Sequence, residues 1–236
     1  MYLPPPDARP EAATGLRHDR AFAYLTSLLL DGGLEPGDVF STDAVGKALA
    51  ISRAPVTDAV KRLVRDGFIA VIPQVGCKVR FPAPEEVEDF YRLFARSEGV
   101  ITGLAAERRT AEQASRFGAL VSGIDAEQDA CRGLSSAGPR LRALNRRRYE
   151  AIHAMAGARI AGELVANMWD RSDFYIRVAF GQFAYSRDAH ASNQQIAPAI
   201  IAGDTDTAVR VTEAYLMQAG TRTASELRRR LDSPDP

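Results

Sequence analysis

One short stretch of this chain gathers side chains suited to nucleic acid. In S-R-A-P-V-T-D-A-V-K-R-L-V-R-D-G, residues 52 to 67, the apolar positions Val56, Ala59, Val60 and Leu63 recur at helical spacing. Ser52, Arg53 and Ala54 open that helix, and Thr57 and Lys61 fall opposite Val56 and Val60. An arginine can grip guanine through two hydrogen bonds, a lysine neutralises phosphate, and a hydroxyl can contact either. Further on, Gln74 and Gly76 stand in a turn that suits a minor groove, Gly76 by letting backbone approach closely. The 236-residue chain is neutral, with 30 basic and 30 acidic residues. Its charge is nevertheless segregated. Between residues 47 and 80, Lys47, Arg53, Lys61, Arg62, Arg65, Lys78 and Arg80 face only Asp58 and Asp66, a local excess of +5. Phosphate affinity depends on such local ion pairing and counterion release.

Catalytic constellations are sparse. Glu150 and His153 form an E-x-x-H pair on one helical face, the spacing used by di-metal bundles, but no second E-x-x-H occurs. His18 and His190 are the only other histidines. There is no Ser/Cys–His arrangement and no phosphate-binding loop. The expectation is therefore a non-enzyme without cofactor or bound metal. The alternative is a metal-dependent or acid–base enzyme in the C-terminal half, with the N-terminal half as accessory.

The elements that must position these residues follow from pattern. Residues 16 to 32 carry Phe22, Leu25, Leu28 and Leu29 at helical spacing, ended by Gly32-Gly33. Ser41 or Thr42 caps a second helix to Ala50, and a turn of about three residues, Ala50-Ile51-Ser52, leads into the third. Asp66-Gly67 stops that helix. Phe68 to Ile72, then Pro73-Gln74-Val75-Gly76, then Lys78 to Phe81 read as strand, turn and strand, with Gly76 at or near the tip. The whole is a winged helix-turn-helix over residues 16–81, after a disordered leader over 1–15 with no signal peptide.

Pro82-Ala83-Pro84 is a stiff linker. Beyond it, residues 85–232 read as about six helices: 85–109, 111–130, 140–158, 160–188, 191–202 and 204–231, with a Gly/Ser/Pro loop over 133–139. The fold class is mainly α. Trp169, Phe174, Tyr175, Phe180 and Phe183 read as core and dimer packing, and Arg140, Arg142, Arg146, Arg147 and Arg148 as a solvated face. Two cysteines, Cys77 and Cys131, in separate modules read as small packing residues in a reducing cytoplasm. With 46% hydrophobic residues and a mean hydropathy of −0.18, the chain can build real cores. No apolar run reaches the roughly 20 residues a membrane span needs.

Residues 34–38 (L-E-P-G-D), 52–56 (S-R-A-P-V), 59–69 (A-V-K-R-L-V-R-D-G-F-I) and the wing glycine resemble the GntR family of bacterial regulators. The helical remainder resembles its FCD ligand-sensing domain through N-R-R-R-Y-E-A-I-H-A-M-A-G at 145–157 and I-A-P-A-I-I-A-G-D at 196–204. The resemblance implies a homodimer that reads an inverted-repeat operator in double-stranded DNA. It also implies a small organic effector in the helical domain and a cytoplasmic location. Many members hold a divalent metal through one Asp or Asn and three His. At those positions this chain has Asn145, Tyr149, Asn193 and Tyr215, so no imidazole is present. Amide and phenol oxygens suit transition metals poorly and suit hydrogen bonding to an organic ligand. Phe94 replaces an arginine common in the family, which removes a bidentate partner for a carboxylate effector. In the DNA-reading helix Arg53 is kept, while Thr57 and Asp43 replace basic residues. The operator is accordingly expected to differ from the family's commonest ones.

Overall fold

The computed structural model describes residue 3 and residues 17–131, 137–182 and 187–232, and for residues 17, 18 and 187–192 it describes the backbone. The leader apart from Leu3, most of the 133–139 loop, Phe183 and the side chains of His18 and His190 lie outside the described residues. The chain divides into two units, Met1–Pro82 and Ala83–Pro236.

The first unit runs α1 (Arg17–Asp31), β1 (Val39–Phe40), α2 (Thr42–Leu49), α3 (Arg53–Arg65), β2 (Ile69–Ile72) and β3 (Gly76–Val79). Its sheet has the order β1-β3-β2 and is antiparallel throughout, with Val39 opposite Lys78 and Val71 opposite Cys77. Leu25 and Leu29 of α1, Val45 and Leu49 of α2, and Val56, Val60 and Leu63 of α3 are all buried. They meet Phe68 and Val79 in one core, which fixes the pitch of α3. Ser41 caps α2 by accepting from the Ala44 N–H at 3.1 Å. Ala50 then adopts the left-handed conformation (φ 53°), turning the chain sharply between α2 and α3.

Two wing details differ from the sequence expectation. β3 spans Gly76–Val79 and ends before Phe81. The turn has Gln74, with φ 62°, in the left-handed region, and Gly76 is the first strand residue. Gly76 is still required there. Its φ is +129°, and a Cβ on it would lie 2.8 Å from the Phe40 carbonyl oxygen, where β1 crosses.

The second unit comprises α4 (Pro84–Arg108), α5 (Ala111–Ala130), α6 (Gly138–Ala156), α7 (Arg159–Phe180), α8 (Arg187–Ala202) and α9 (Thr205–Asp232). Pro84 sits at the first position of α4, where a missing N–H costs nothing. A full capping box, Thr110 with Gln113, starts α5. The expected helix over 160–188 stops at Phe180, because Gly181 takes φ 77° and caps α7; α8 then starts at Arg187. α4 packs most extensively on α9. Gly220 makes that possible, since a Cβ there would lie 2.5 Å from Cβ of Tyr91. Gly99 and Gly103 of α4 likewise leave room for Glu213 and Val209 of α9.

The arginine run on α6 is only in part a solvated face: Arg140 and Arg147 are exposed. Arg148 is buried and pairs with Asp125, with Gln128 Oε1 at 3.4 Å. Arg146 pairs with Asp170 and lies 3.6 Å from Asp173. Arg140 and Arg147 reach Glu127 at 3.0 and 3.9 Å. The run is thus a set of struts from α6 to α5 and α7. Trp169, Phe174 and Tyr175 are buried core, as are Cys77 and Cys131, both free thiols. Among the described residues no helix is long and apolar enough to cross a membrane.

Candidate functional site

Two regions collect the candidate residues, one in each unit. On the first unit, Ser52, Arg53, Ala54 and Lys61 are exposed along one side of α3, and Gln74 is exposed at the wing tip. Ser52 occupies the N-cap position of α3 without its hydroxyl capping, which leaves that oxygen facing outward. Thr57 behaves differently. Its hydroxyl donates to the Arg53 carbonyl at 3.0 Å, so as placed it presents a methyl group more than a donor.

The electrostatics of this face are less basic than the count suggested. Arg53 Nε lies 3.8 Å from Asp43 Oδ1, and Lys61 Nζ lies 3.3 Å from Asp58. Arg62 stacks on the Phe22 ring at 3.6 Å, and Arg65 pairs with Asp66 at 3.1 Å. Arg80 donates to the Gly67 carbonyl. The exposed pairs are each worth under about 1 kcal/mol and break readily when phosphate competes. Asp43 therefore does not only repel phosphate. It also holds the guanidinium that would read a base.

In the second unit all five expected effector residues are buried. Phe94 lies in an aromatic cluster with Phe90, Tyr91 and Trp169, its ring centroid 4.9 Å from that of Trp169. Tyr149 stacks on the other partner of this cluster, 3.8 Å from the Trp169 centroid. So Phe94, Trp169 and Tyr149 are brought together, whereas Asn145, Asn193 and Tyr215 are buried in the bundle without lining the cleft described below.

Among the described residues, buried polar atoms of this bundle without a hydrogen-bond partner include Thr102 Oγ1 on α4, Asn145 Oδ1 on α6 and Thr212 Oγ1 on α9, besides Gln128 Nε2 on α5. Thr102 and Thr212 lie near the same level of the antiparallel α4–α9 pair, between the Gly99–Glu213 and Gly103–Val209 contacts. Unpaired buried groups cost about 1–3 kcal/mol each, so α4, α6 and α9 carry a penalty that a hydrogen-bonding ligand would relieve. Sequence reading missed both threonines. A threonine within an otherwise apolar helical face was the only available signal.

The donor set at the family's metal positions is two amides and two phenols, which does not fit a transition-metal ion. Among the described residues no group of three or more His, Cys, Asp or Glu side chains could hold one. His153 does not pair with Glu150. Its Nε2 lies 3.0 Å from both carboxylate oxygens of Glu98, a fully buried residue that also accepts from Trp169 Nε1 at 3.1 Å. Nε2 faces two acceptors and so carries the hydrogen, leaving Nδ1 outward.

A cleft of about 450 Å³ opens between α6 and α7, with Tyr149 and Trp169 at its floor and His153, Glu150, Gly162 and Ala166 among its walls.

Comparison with known proteins places both units. Residues 17–79 match the family model described as bacterial regulatory proteins, gntR family, and residues 89–218 match the FCD domain. An uncharacterized HTH-type transcriptional regulator of Mycobacterium tuberculosis (strain ATCC 25618 / H37Rv) is 25% identical over 99 residues, 42% of this chain and 39% of the relative. One from Agrobacterium vitis is 25% identical over 83 residues, 35% of this chain and 48% of the relative. These matches thus span about two fifths to half the length of the curated relatives. E. coli McbR/YncC has a similar fold, with a TM-score of 0.71 at 21% identity over 92% of this chain and 100% of that chain. So has a putative GntR transcriptional regulator from Rhodococcus sp. RHA1, with a TM-score of 0.68 at 21% identity over 89% and 98%.

Proposed function

We propose, for a chain that belongs to the FCD-domain group of the gntR family of bacterial regulatory proteins, that it is a cytoplasmic, homodimeric transcriptional regulator without catalytic activity. Its winged helix reads an inverted-repeat operator, and a small organic effector in the helical unit changes that affinity. The observation that carries the reading is the exposed edge of α3, with Arg53 beside an uncapped Ser52 at the helix start. A helix entering the major groove uses its N-terminal residues on base edges.

Arg53→Ala is expected to weaken binding to duplexes that the wild type selects from a random pool by about 10- to 100-fold, or ~1–3 kcal/mol. Wild-type binding should also fall steeply with salt. Fluorescence anisotropy gives both quantities, and unchanged affinity in Arg53→Ala would remove Arg53 from the reading set.

In the helical unit the effector hydrogen-bonds the interior around Asn145, Tyr149, Asn193 and Tyr215, beside Phe94, together with Thr102 and Thr212. Thr212→Val discriminates this from structural packing. Its hydroxyl is unpartnered, so the variant should be as stable as the wild type or about 1 kcal/mol more stable, while losing the effector response. Thr223→Val is the control: that hydroxyl donates to the Ala219 carbonyl at 2.8 Å, and its loss should cost about 1 kcal/mol. Equal losses in urea denaturation would mean that Thr212 is simply a structural hydroxyl.

A further inference from the structure

The α6–α7 cleft shares Tyr149 with the effector positions, but Phe94, Asn145, Asn193 and Tyr215 do not line it. At about 450 Å³ it falls within the size range of small-molecule sites. Small residues keep it open. A Cβ on Gly162 would reach only His153 Nδ1, at 3.7 Å, and one on Gly157 would meet nothing within 4 Å. Ala154 on α6 and Ala166 on α7 widen it further. The floor is aromatic and rigid: Tyr149 and Trp169 stack, and Glu98 anchors both Trp169 Nε1 and His153 Nε2 from beneath.

Charge at the mouth decides what fits. Two arginines line the cleft, but Arg146 is taken by Asp170 and Asp173, and Arg159 by Glu163 at 3.3 Å. Glu150 is exposed and has no ion-pair partner among the described residues. The lining carries Arg146 and Arg159 against Glu150 and Glu163, and Arg146 also faces Asp170 and Asp173, so the balance of charge around an anionic ligand is unfavourable. A cation would find the Glu150 carboxylate and a pair of aromatic rings, whose faces attract positive charge.

We propose that this cleft is a binding site for an aromatic amine, its ring over the Tyr149–Trp169 floor and its ammonium group against Glu150. The site does not depend on the DNA-binding reading, and it is tested without DNA. Trp169 is the only tryptophan in the chain, so its emission reports on the floor of the cleft. The probes are 2-phenylethylamine and, as its anionic counterpart, phenylacetate, added to the full-length protein with excitation selective for tryptophan.

The amine is expected to change Trp169 emission saturably, and phenylacetate at the same concentrations is not. Glu150→Gln should weaken amine binding about tenfold. Gly162→Leu, which fills the cleft while improving helix propensity, should abolish binding as seen by calorimetry. Ala154→Phe, on an exposed position of α6, fills the same space and serves if Gly162→Leu fails to fold. No saturable change with the amine would overturn the site, as would equal binding of phenylacetate or binding that survives both filling variants. Binding lost in Thr212→Val but kept in Gly162→Leu would overturn it too, by placing the amine in the interior. Loss of operator binding in Arg53→Ala is scored separately, so either reading can fail alone.

Discussion

Glu98→Ala is expected to destabilise the helical unit by about 2–4 kcal/mol and to shift the emission of Trp169. Glu98 is fully buried on α4 and holds two donors from two other helices, His153 on α6 and Trp169 on α7. Truncation leaves both donors unpaired in a dry setting, at about 1–3 kcal/mol each, and opens a void where the side chain lay. The His153 side chain, 15% exposed, lets water compensate part of its loss; the buried Trp169 N–H does not. Most of the cost therefore falls on the indole. Glu98→Gln keeps one acceptor oxygen and should recover about half. Urea denaturation followed through Trp169 gives the comparison. A loss under about 1 kcal/mol would show that the aromatic floor holds itself without the carboxylate.

The second large effect is on pH dependence. Asp173 is buried on α7, and burial pushes its carboxyl up to about 7 from 3.8; Arg146 and Arg142 pull it down, and Asp170 raises it again. The folded state thus holds this proton more tightly than the unfolded chain. Its stabilising contribution is fully present below about pH 4 and is lost as pH rises through about 7. Over that window the difference is on the order of 4 kcal/mol. Asp173→Asn stays neutral and removes it. Other carboxylates run the opposite way: Glu88 and Glu226, lowered mainly by hydrogen bonds from Arg228 and Arg229, favour the folded state at higher pH. The test is therefore the difference between wild type and Asp173→Asn in thermal melts from pH 4 to pH 8. Parallel curves would mean that Asp173 is ionised throughout.

Much of the winged helix could be read from local signals, because its cues are local. Ser41, the short turn Ala50-Ile51-Ser52 and the apolar spacing from Val56 to Leu63 all act within a few residues. The helical unit depends on long-range partners, and there the sequence misleads. Arg148 looks like a surface charge until Asp125 and Gln128 on α5 enclose it. His153 looks like the partner of Glu150, three residues away, but its partner is Glu98, fifty-five residues earlier. The break at Gly181 was hidden because one glycine within an aromatic run reads as a tolerated interruption. Asn145, Tyr149, Asn193 and Tyr215 came from family resemblance, since two amides and two phenols in a helical bundle carry no periodic signature of their own.

The glycine contacts between α4 and α9 have a mechanical consequence. Tyr91 sits in the slot at Gly220, Glu213 in the slot at Gly99 and Val209 in the slot at Gly103, so the two helices are notched together at three heights. Gly99 and Gly103 lie one turn apart, as do Val209 and Glu213, so a one-turn slide would seat one key in the neighbouring glycine slot but would lift Tyr91 out of the slot at Gly220. The Tyr91–Gly220 notch therefore opposes a ratchet between these helices, one known route for transmitting a signal. Within the helical unit it favours α4 and α9 moving together as a single beam.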